Sequence, residues 1–358
     1  MGYSCGLVGL PNAGKSTLFR ALTGVAAEVG NYPFTTIAPQ RGQVPVEDAR
    51  LGRIAALVGS ARATPAVVEV VDVAGLVEGA SQGQGLGNRF LAHIREVDAL
   101  FHVVRCFGDP NVVHVTGEIS PRRDAELVDA ELMLADLETL GRYEVKLASL
   151  VKTQEAKWKE EAAQAGLLRE SLGKGVPARL VPDQGAQALA RRLNLLSAKP
   201  VLYVANVGEG EDIPTDLADY AARQRAPVHA FAARLEAELT ELDSGERAAM
   251  LQDLGWPADA AQGLVQAGYR LLGLITFFTA NENECRARAV PRGTTAVEAA
   301  ARVHTDMARG FIRAEVITAS DLLGAGSYQA ARDQGLVRSE GRDYRVQDGD
   351  VIFFRFQR

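Results

Sequence analysis

Residues 9–16 read Gly-Leu-Pro-Asn-Ala-Gly-Lys-Ser, and this run constrains the fold more than any other feature of the chain. A Gly-x4-Gly-Lys-Ser loop works where a buried strand runs into it and a helix leaves it. The apolar stretch 4–10 reads as that strand and residues 15–23 as that helix. In this setting the turn aims backbone N–H groups inward around a chain of phosphates. The helix N-terminus adds its positive dipole. Lys15 is expected to reach the β- and γ-phosphates and the Ser16 hydroxyl to ligate Mg²⁺. Asn12, Ala13, Gly14 and Thr17 complete the expected phosphate cradle.

The surrounding pattern agrees with such a loop. Further apolar runs at 67–73, 99–104, 200–206 and 228–231 alternate with helical stretches. Near-continuous apolar strands of this kind predict an α/β fold with a parallel sheet covered on both faces. The alternation stops between about 122 and 196. Residues 122–164 contain no proline and one glycine, Gly141, and Leu137, Leu140, Leu147 and Val151 fall at heptad-like spacing, interrupted by Glu144. A second helical pattern runs over 186–196. Together these predict an inserted helical hairpin, a short antiparallel coiled coil that protrudes. The competing reading packs it on the core. After about residue 273, apolar runs at 274–279, 285–290, 311–318 and 351–356 surround short helices such as 295–303. They predict a small α+β domain. The expected division is a nucleotide-binding domain at 1–121 and 197–272, the insert at 122–196 and the C-terminal domain at 273–358.

Composition narrows the function classes. The 358 residues are 47% hydrophobic and 23% charged, which fits a globular chain and argues against long disorder. A net charge of −6 does not fit a globally basic nucleic-acid binder, so DNA is not an expected partner and any RNA contact is local. No signal peptide is read, and no apolar run approaches the ~20 residues of a membrane span. Cys5, Cys106 and Cys285 form no CxxC pair, so neither a zinc site nor a disulfide framework is expected. Sparse cysteines fit a reducing compartment, and a cytoplasmic monomer is expected.

Two segments answer the loop. Asp72 lies in the apolar run 67–73, where a Walker-B-type carboxylate holds Mg²⁺ through water. Thr36, in Asn-Tyr-Pro-Phe-Thr-Thr (31–36), is the second candidate Mg²⁺ ligand. Residues 79–87 carry four glycines, a composition suited to a switch loop.

These motifs together carry a resemblance. Gly-Leu-Pro-Asn-Ala-Gly-Lys-Ser-Thr, Asn-Tyr-Pro-Phe-Thr-Thr-Ile and Asp-Val-Ala-Gly-Leu-Val-Glu-Gly-Ala closely resemble the Obg-related GTPases. Gly-Leu-Gly-Asn-Arg-Phe-Leu (85–91), Val-Arg-Cys-Phe (104–107), Val-Val-His-Val (112–115) and Asn-Val-Gly-Glu (206–209) narrow it to the YchF / Obg-like ATPase family. The segment after residue 300 resembles a TGS domain. The resemblance implies a Ras-like, Obg-type G domain with a coiled-coil insert and a TGS-like C-terminal domain.

The base is read after the fifth strand, where GTPases of this class carry Asn-Lys-x-Asp. Here Asn206-Val207-Gly208-Glu209 lacks the lysine and has a longer acid. A glutamate still accepts from guanine, so residue chemistry leaves both bases open. The resemblance implies ATP, with Asn206 and the Val207 backbone at the adenine edge, Glu209 in the same segment and Phe107 against the base. A core aromatic is the other reading of Phe107.

Ras-like enzymes orient water with a glutamine just after Asp-x-x-Gly, and Leu76 stands there instead. His114 is the candidate replacement, with a hydrogen-bonded structural histidine as the competing reading. His93 is a further candidate. In related enzymes an asparagine at the position of Asn12 ligates K⁺, so K⁺ stimulation is an expectation. Turnover without a partner is expected to be slow. The TGS resemblance implies binding to RNA and the ribosome or its large subunit. The residues support this weakly: 275–358 hold 12 Arg and no Lys against 11 acids. An Obg-type GTPase and a nucleotide-gated protein scaffold are the alternative readings.

Overall fold

A computed structural model of the protein describes residues 3–24, 39–73, 86–152, 155–257 and 260–357. It comprises two compact units, Met1–Val44 with Glu69–Gly268 and Pro45–Val68 with Tyr269–Arg358. In chain order the strands are β1 (Tyr3–Val8), β2 (Gln40–Val46), β3 (Ala63–Thr64), β4 (Ala66–Asp72), β5 (Ala99–Arg105) and β6 (Val201–Asn206). They continue with β7 (Val228–Phe231), β8 (Leu274–Ala280), β9 (Cys285–Pro291), β10 (Phe311–Thr318), β11 (Arg338–Glu340) and β12 (Asp350–Phe356).

The first sheet has the order β2-β4-β1-β5-β6-β7, and β1, β5, β6 and β7 pair in parallel. Every residue of β5 and β6 is buried, as two-sided coverage by helices requires. β2 was not expected. Its Gln-Arg-Gly-Gln-Val-Pro-Val sequence buries alternate residues at the sheet edge, where proline is tolerated.

The insert differs from a two-helix hairpin. The helix Pro121–Val151 begins with proline in its first turn and, at 1.5 Å per residue, runs roughly 46 Å. Its first half buries Ala125, Val128, Leu132 and Ala135 in the core of the sheet. Its second half buries Leu140 and Leu147 in a separate apolar cluster with helices Ala156–Gly173 and Gln184–Arg192. Among the described residues the insert thus holds three α-helices, and both competing readings apply to different halves of one helix. Glu144, which interrupts the stripe, pairs with Arg169. Two buried acids fasten the long helix. Asp129 Oδ2 accepts from the Tyr203 and Tyr220 hydroxyls. Asp136 accepts from the Leu196 N–H at 2.7 Å, the Ser197 N–H at 2.8 Å and the Ser197 hydroxyl at 2.6 Å.

The second unit is built on a mixed sheet of order β11-β10-β12-β8-β9-β3. Helix Ala296–Val303, closed by a capping box between Thr295 and Glu298, contributes to one apolar cluster with Ile275, Phe277, Val316 and Ile352. Residues 45–68 also belong to this unit, not to the nucleotide-binding part as their position in the chain suggested. Helix Ala49–Val58 buries Leu51, Ile54 and Ala55. Arg50 lies over the Phe278 ring at 5.3 Å and donates to Asp348 at 2.8 Å, and β3 pairs in parallel with β9.

Candidate nucleotide site

The loop turns immediately after β1. Gly9 has φ 151°, and a Cβ there would lie 2.3 Å from the Val103 carbonyl oxygen. Gly14 has φ 97°, and its Cβ would fall 2.1 Å from Asn206 Nδ2. Neither position accepts a side chain. Asn12 also adopts a left-handed conformation, φ 61°, which asparagine tolerates. Gly14 caps helix Lys15–Thr23 without any side-chain hydrogen bond, leaving the first N–H groups available to an anion.

Lys15 is buried, and its Nζ donates to the Gly9 carbonyl at 3.1 Å and the Leu10 carbonyl at 2.8 Å. Burial lowers its pKa to about 8, opposed by the charge of Asp72. The Ser16 hydroxyl donates to Asp72 Oδ2 at 2.7 Å. Burial raises the Asp72 carboxyl above its ordinary value, against the Ser16 hydrogen bond and the Lys15 charge. The sequence-predicted lysine, serine and aspartate therefore come together, although Asp72 stands 56 residues from Ser16. Ala13 is buried and Thr17 half-buried in the same turn. Thr36, Leu76 and residues 79–85 lie outside the described residues.

A hydroxyl and a carboxylate side by side are hard oxygen donors that suit Mg²⁺, which takes few protein ligands and completes its shell with water and phosphate. Among the described residues no group of three or more His, Cys, Asp or Glu is arranged to hold a metal.

The base-reading segment departs from expectation at Asn206. Its amide is committed at both ends: Nδ2 donates to the Ala13 carbonyl at 2.9 Å, and Oδ1 accepts from the Ala233 N–H at 3.1 Å. In this structure Asn206 braces the P-loop and is not presented to a base. The Val207 N–H is likewise used, by the Phe231 carbonyl at 3.2 Å. Glu209 is exposed, and it is Glu211 that accepts from the Gly208 N–H at 2.9 Å.

Phe107 is half-buried rather than a core aromatic. Arg105, which the sequence reading passed over, holds it. The Arg105 guanidinium stacks 4.7 Å from the Phe107 ring centroid and donates to the carbonyls of Phe107, Asp109 and Val112. Three donated hydrogen bonds and a ring face satisfy a cation that is only 2% exposed at the end of an apolar strand.

The next segment leans on the P-loop itself, since Asn12 Nδ2 donates to the Val113 carbonyl at 3.0 Å. His114 is buried beside it with both ring nitrogens engaged. Nε2 meets Asp124 Oδ2 at 2.8 Å, and Nδ1 meets the Thr116 hydroxyl at 2.9 Å. His114 and Asp124 line one small pocket with Leu10, Pro11 and Ala13. Here the histidine is a satisfied, loop-holding group. His93 is half-buried on helix Leu86–Glu96.

Comparison with known proteins carries the fold and the site to a family. Residues 4–139 match a family described as 50S ribosome-binding GTPase. Residues 274–357 match the C-terminal family of YchF-type GTPases, described as a protein of unknown function. The chain is 44% identical to the ribosome-binding ATPase YchF of Bacillus subtilis, over 99% of this chain and 100% of that protein. The corresponding figures for the Escherichia coli O157:H7 protein of the same name are 43%, 99% and 99%. The chain belongs to the YchF family. The solved structure of the Schizosaccharomyces pombe YchF GTPase superposes with a TM-score of 0.84 at 31% identity, covering 99% of this chain and 98% of that one. A GTP-binding protein of Pyrococcus horikoshii shares the fold, with a TM-score of 0.63 at 19% identity. Membership in YchF makes this chain a P-loop nucleotide hydrolase with a G domain and a YchF-type C-terminal domain. No helix among the described residues is long and apolar enough to cross a membrane.

Proposed function

We propose that the protein is a Mg²⁺-dependent ATPase that works as a slow, nucleotide-driven switch on the ribosome, in the cytoplasm and as a monomer. The observation that carries the hydrolase reading is the cluster of Lys15, Ser16 and Asp72 under a helix N-terminus. Lys15 leaves the Gly9 and Leu10 carbonyls for the β- and γ-phosphate oxygens, and the open N–H groups of the loop take the remaining phosphate charge. Ser16 directly, Asp72 through water and Thr36 would hold Mg²⁺. The ion supplies neutralisation of charge on the transferred phosphoryl group.

ATP preference rests on the family resemblance, and residues 206–209, which lack the lysine and aspartate of a guanine reader, are compatible with it. Phe107, pinned by Arg105, supplies the apolar face for the base. The curated bacterial relatives are named ribosome-binding ATPases, whereas the fission-yeast relative is titled a GTPase. Calorimetric titration with ATP, GTP and their diphosphates tests the choice, and GTP binding as tight as ATP sinks it. Ribosome binding is tested by co-sedimentation, expected with ATP and weaker with ADP. Absence of co-sedimentation in either state sends the reading to a protein partner.

His114 is the group proposed to orient the attacking water, once the loop around it releases one ring nitrogen. Its support is the coupling of the adjacent Val113 carbonyl to Asn12 in the P-loop. An alanine variant that binds ATP and hydrolyses it at the parent rate removes this role. Asn12 is also proposed to ligate K⁺, and equal rates in KCl and NaCl at matched ionic strength exclude it.

A further inference from the structure

We infer that Asp124, in the first turn of helix Pro121–Val151, is a positioning residue for hydrolysis: it fixes the tautomer of His114 and leaves Nδ1 as the nitrogen that accepts from water. This inference rests on the reading of His114 as the water-orienting group.

The hydrogen-bond directions assign the tautomer. The Thr116 backbone N–H points at His114 Nδ1 at 3.3 Å. A backbone N–H only donates, so Nδ1 is an acceptor and carries no proton. In a neutral imidazole the proton then sits on Nε2, which faces Asp124 Oδ2 at 2.8 Å. A carboxylate holding N–H on one side of an imidazole leaves a lone pair at the other, which is what accepting from water requires. The Thr116 hydroxyl occupies that acceptor position at 2.9 Å. It also reaches the Glu118 carbonyl at 3.2 Å and receives Arg123 Nη2 at 2.8 Å, so it has other partners when it lets go of the ring.

Asp124 is not built like Asp136 of the same helix. Asp136 engages both carboxylate oxygens, through three donors from Leu196 and Ser197. Asp124 is 4% exposed, yet its Oδ1 has no hydrogen-bond partner, and the Arg123 guanidinium stands 3.7 Å away. A buried carboxylate with one oxygen unsatisfied is costly as a mere fastening. Among the described residues the one side-chain hydrogen bond that Asp124 accepts comes from His114 Nε2. The arrangement also joins the P-loop to the long helix in short steps: Asn12 to Val113, then His114 to Asp124.

The test compares the full-length parent with Asp124→Asn, His114→Ala and the double variant. Each is measured for ATP turnover, affinity for a non-hydrolysable ATP analogue and thermal unfolding. All three variants are expected to bind the analogue within about twofold of the parent. His114→Ala is expected to lose about a hundredfold in kcat. Asp124→Asn is expected to lose about tenfold or more in kcat with KM little changed. The double variant is expected to be no slower than His114→Ala, because Asp124 acts through that ring. Parent-like turnover of Asp124→Asn beside a slow His114→Ala overturns the inference and leaves the histidine reading standing. Parent-like turnover of His114→Ala overturns both. A double variant slower by the product of the single effects assigns Asp124 to packing and also overturns the inference. If Asp124→Asn unfolds early, Asp124→Glu keeps the charge and is read by the same cycle.

Discussion

The burial of Lys15 predicts that nucleotide binding is a proton-coupled event. The ammonium is buried on the Gly9 and Leu10 carbonyls, where burial brings its pKa down to about 8. Below about pH 8 the free site is charged, and above it the lysine is mostly neutral. A triphosphate adjacent to Nζ restores the charged form, so the bound pKa returns toward or above the ordinary lysine range. Binding must then take up a proton wherever the free lysine has lost one. The uptake is close to zero near pH 6.5, about half a proton near pH 8 and close to one near pH 9.5. The linked affinity runs the same way: it falls as pH rises past about 8, approaching about tenfold per pH unit.

The assay is calorimetric titration of the non-hydrolysable Mg²⁺–ATP analogue in buffers of different ionisation enthalpy. The slope of observed heat against buffer enthalpy gives the proton count directly. Lys15→Arg is the control, because a guanidinium does not titrate in this range. It is expected to bind more weakly and to show no uptake at about pH 8. Asp72 cannot imitate the effect, since a buried carboxyl that ionises when metal binds releases a proton. A buffer-independent heat at pH 8, or the same uptake in Lys15→Arg, refutes the assignment of the shifted group to Lys15.

Three further substitutions test the framework around the loop. Gly14→Ala places a Cβ 2.1 Å from Asn206 Nδ2 at φ 97°. The strain of about 1–3 kcal/mol is expected to weaken analogue binding by about tenfold or more, read by titration on the folded variant. Asn206→Ala leaves the Ala13 carbonyl and the Ala233 N–H without their side-chain partners. It should cost about 2–4 kcal/mol in urea unfolding, and a loss under about 0.5 kcal/mol contradicts the bracing role. Asp136→Ala removes the acceptor for the Leu196 and Ser197 N–H groups. It should cost about 3 kcal/mol and speed amide exchange at residues 195–198, whereas unchanged exchange there argues against the latch.

The strands were legible where burial is two-sided. β5 and β6, buried throughout, differ from their sequence-read bounds by one residue each, at the end of β5 and the start of β6. Periodicity failed where burial is partial or shared. β2 presents only Gly42, Val44 and Val46 to the interior, with proline and polar residues between them. In the insert, chain-breaking signals misplaced the first break, since one helix ends at Val151 and the next begins at Ala156, ahead of the later glycines. Residues 45–68 read as part of the first domain because they lie inside it in sequence. Their partners, β9 and Asp348, stand more than two hundred residues away, and no local pattern encodes such a pairing.

The site divides along the same physical line. Phosphate chemistry is written locally, because it depends on backbone conformation and on one lysine and one hydroxyl at fixed offsets from a strand. Base recognition depends on which side-chain amides remain free after folding, and that is a tertiary quantity. Asn206 matched the motif but is consumed at both ends by Ala13 and Ala233. The overlooked residue carried a signal of another kind. Arg105 ends a strand that is wholly buried, and a guanidinium in that position must find several acceptors nearby. The following loop supplies them as the carbonyls of Phe107, Asp109 and Val112. A buried cation therefore predicts an ordered loop, and the ordered loop is what holds the Phe107 ring against the Arg105 guanidinium and brings Val113 within reach of Asn12.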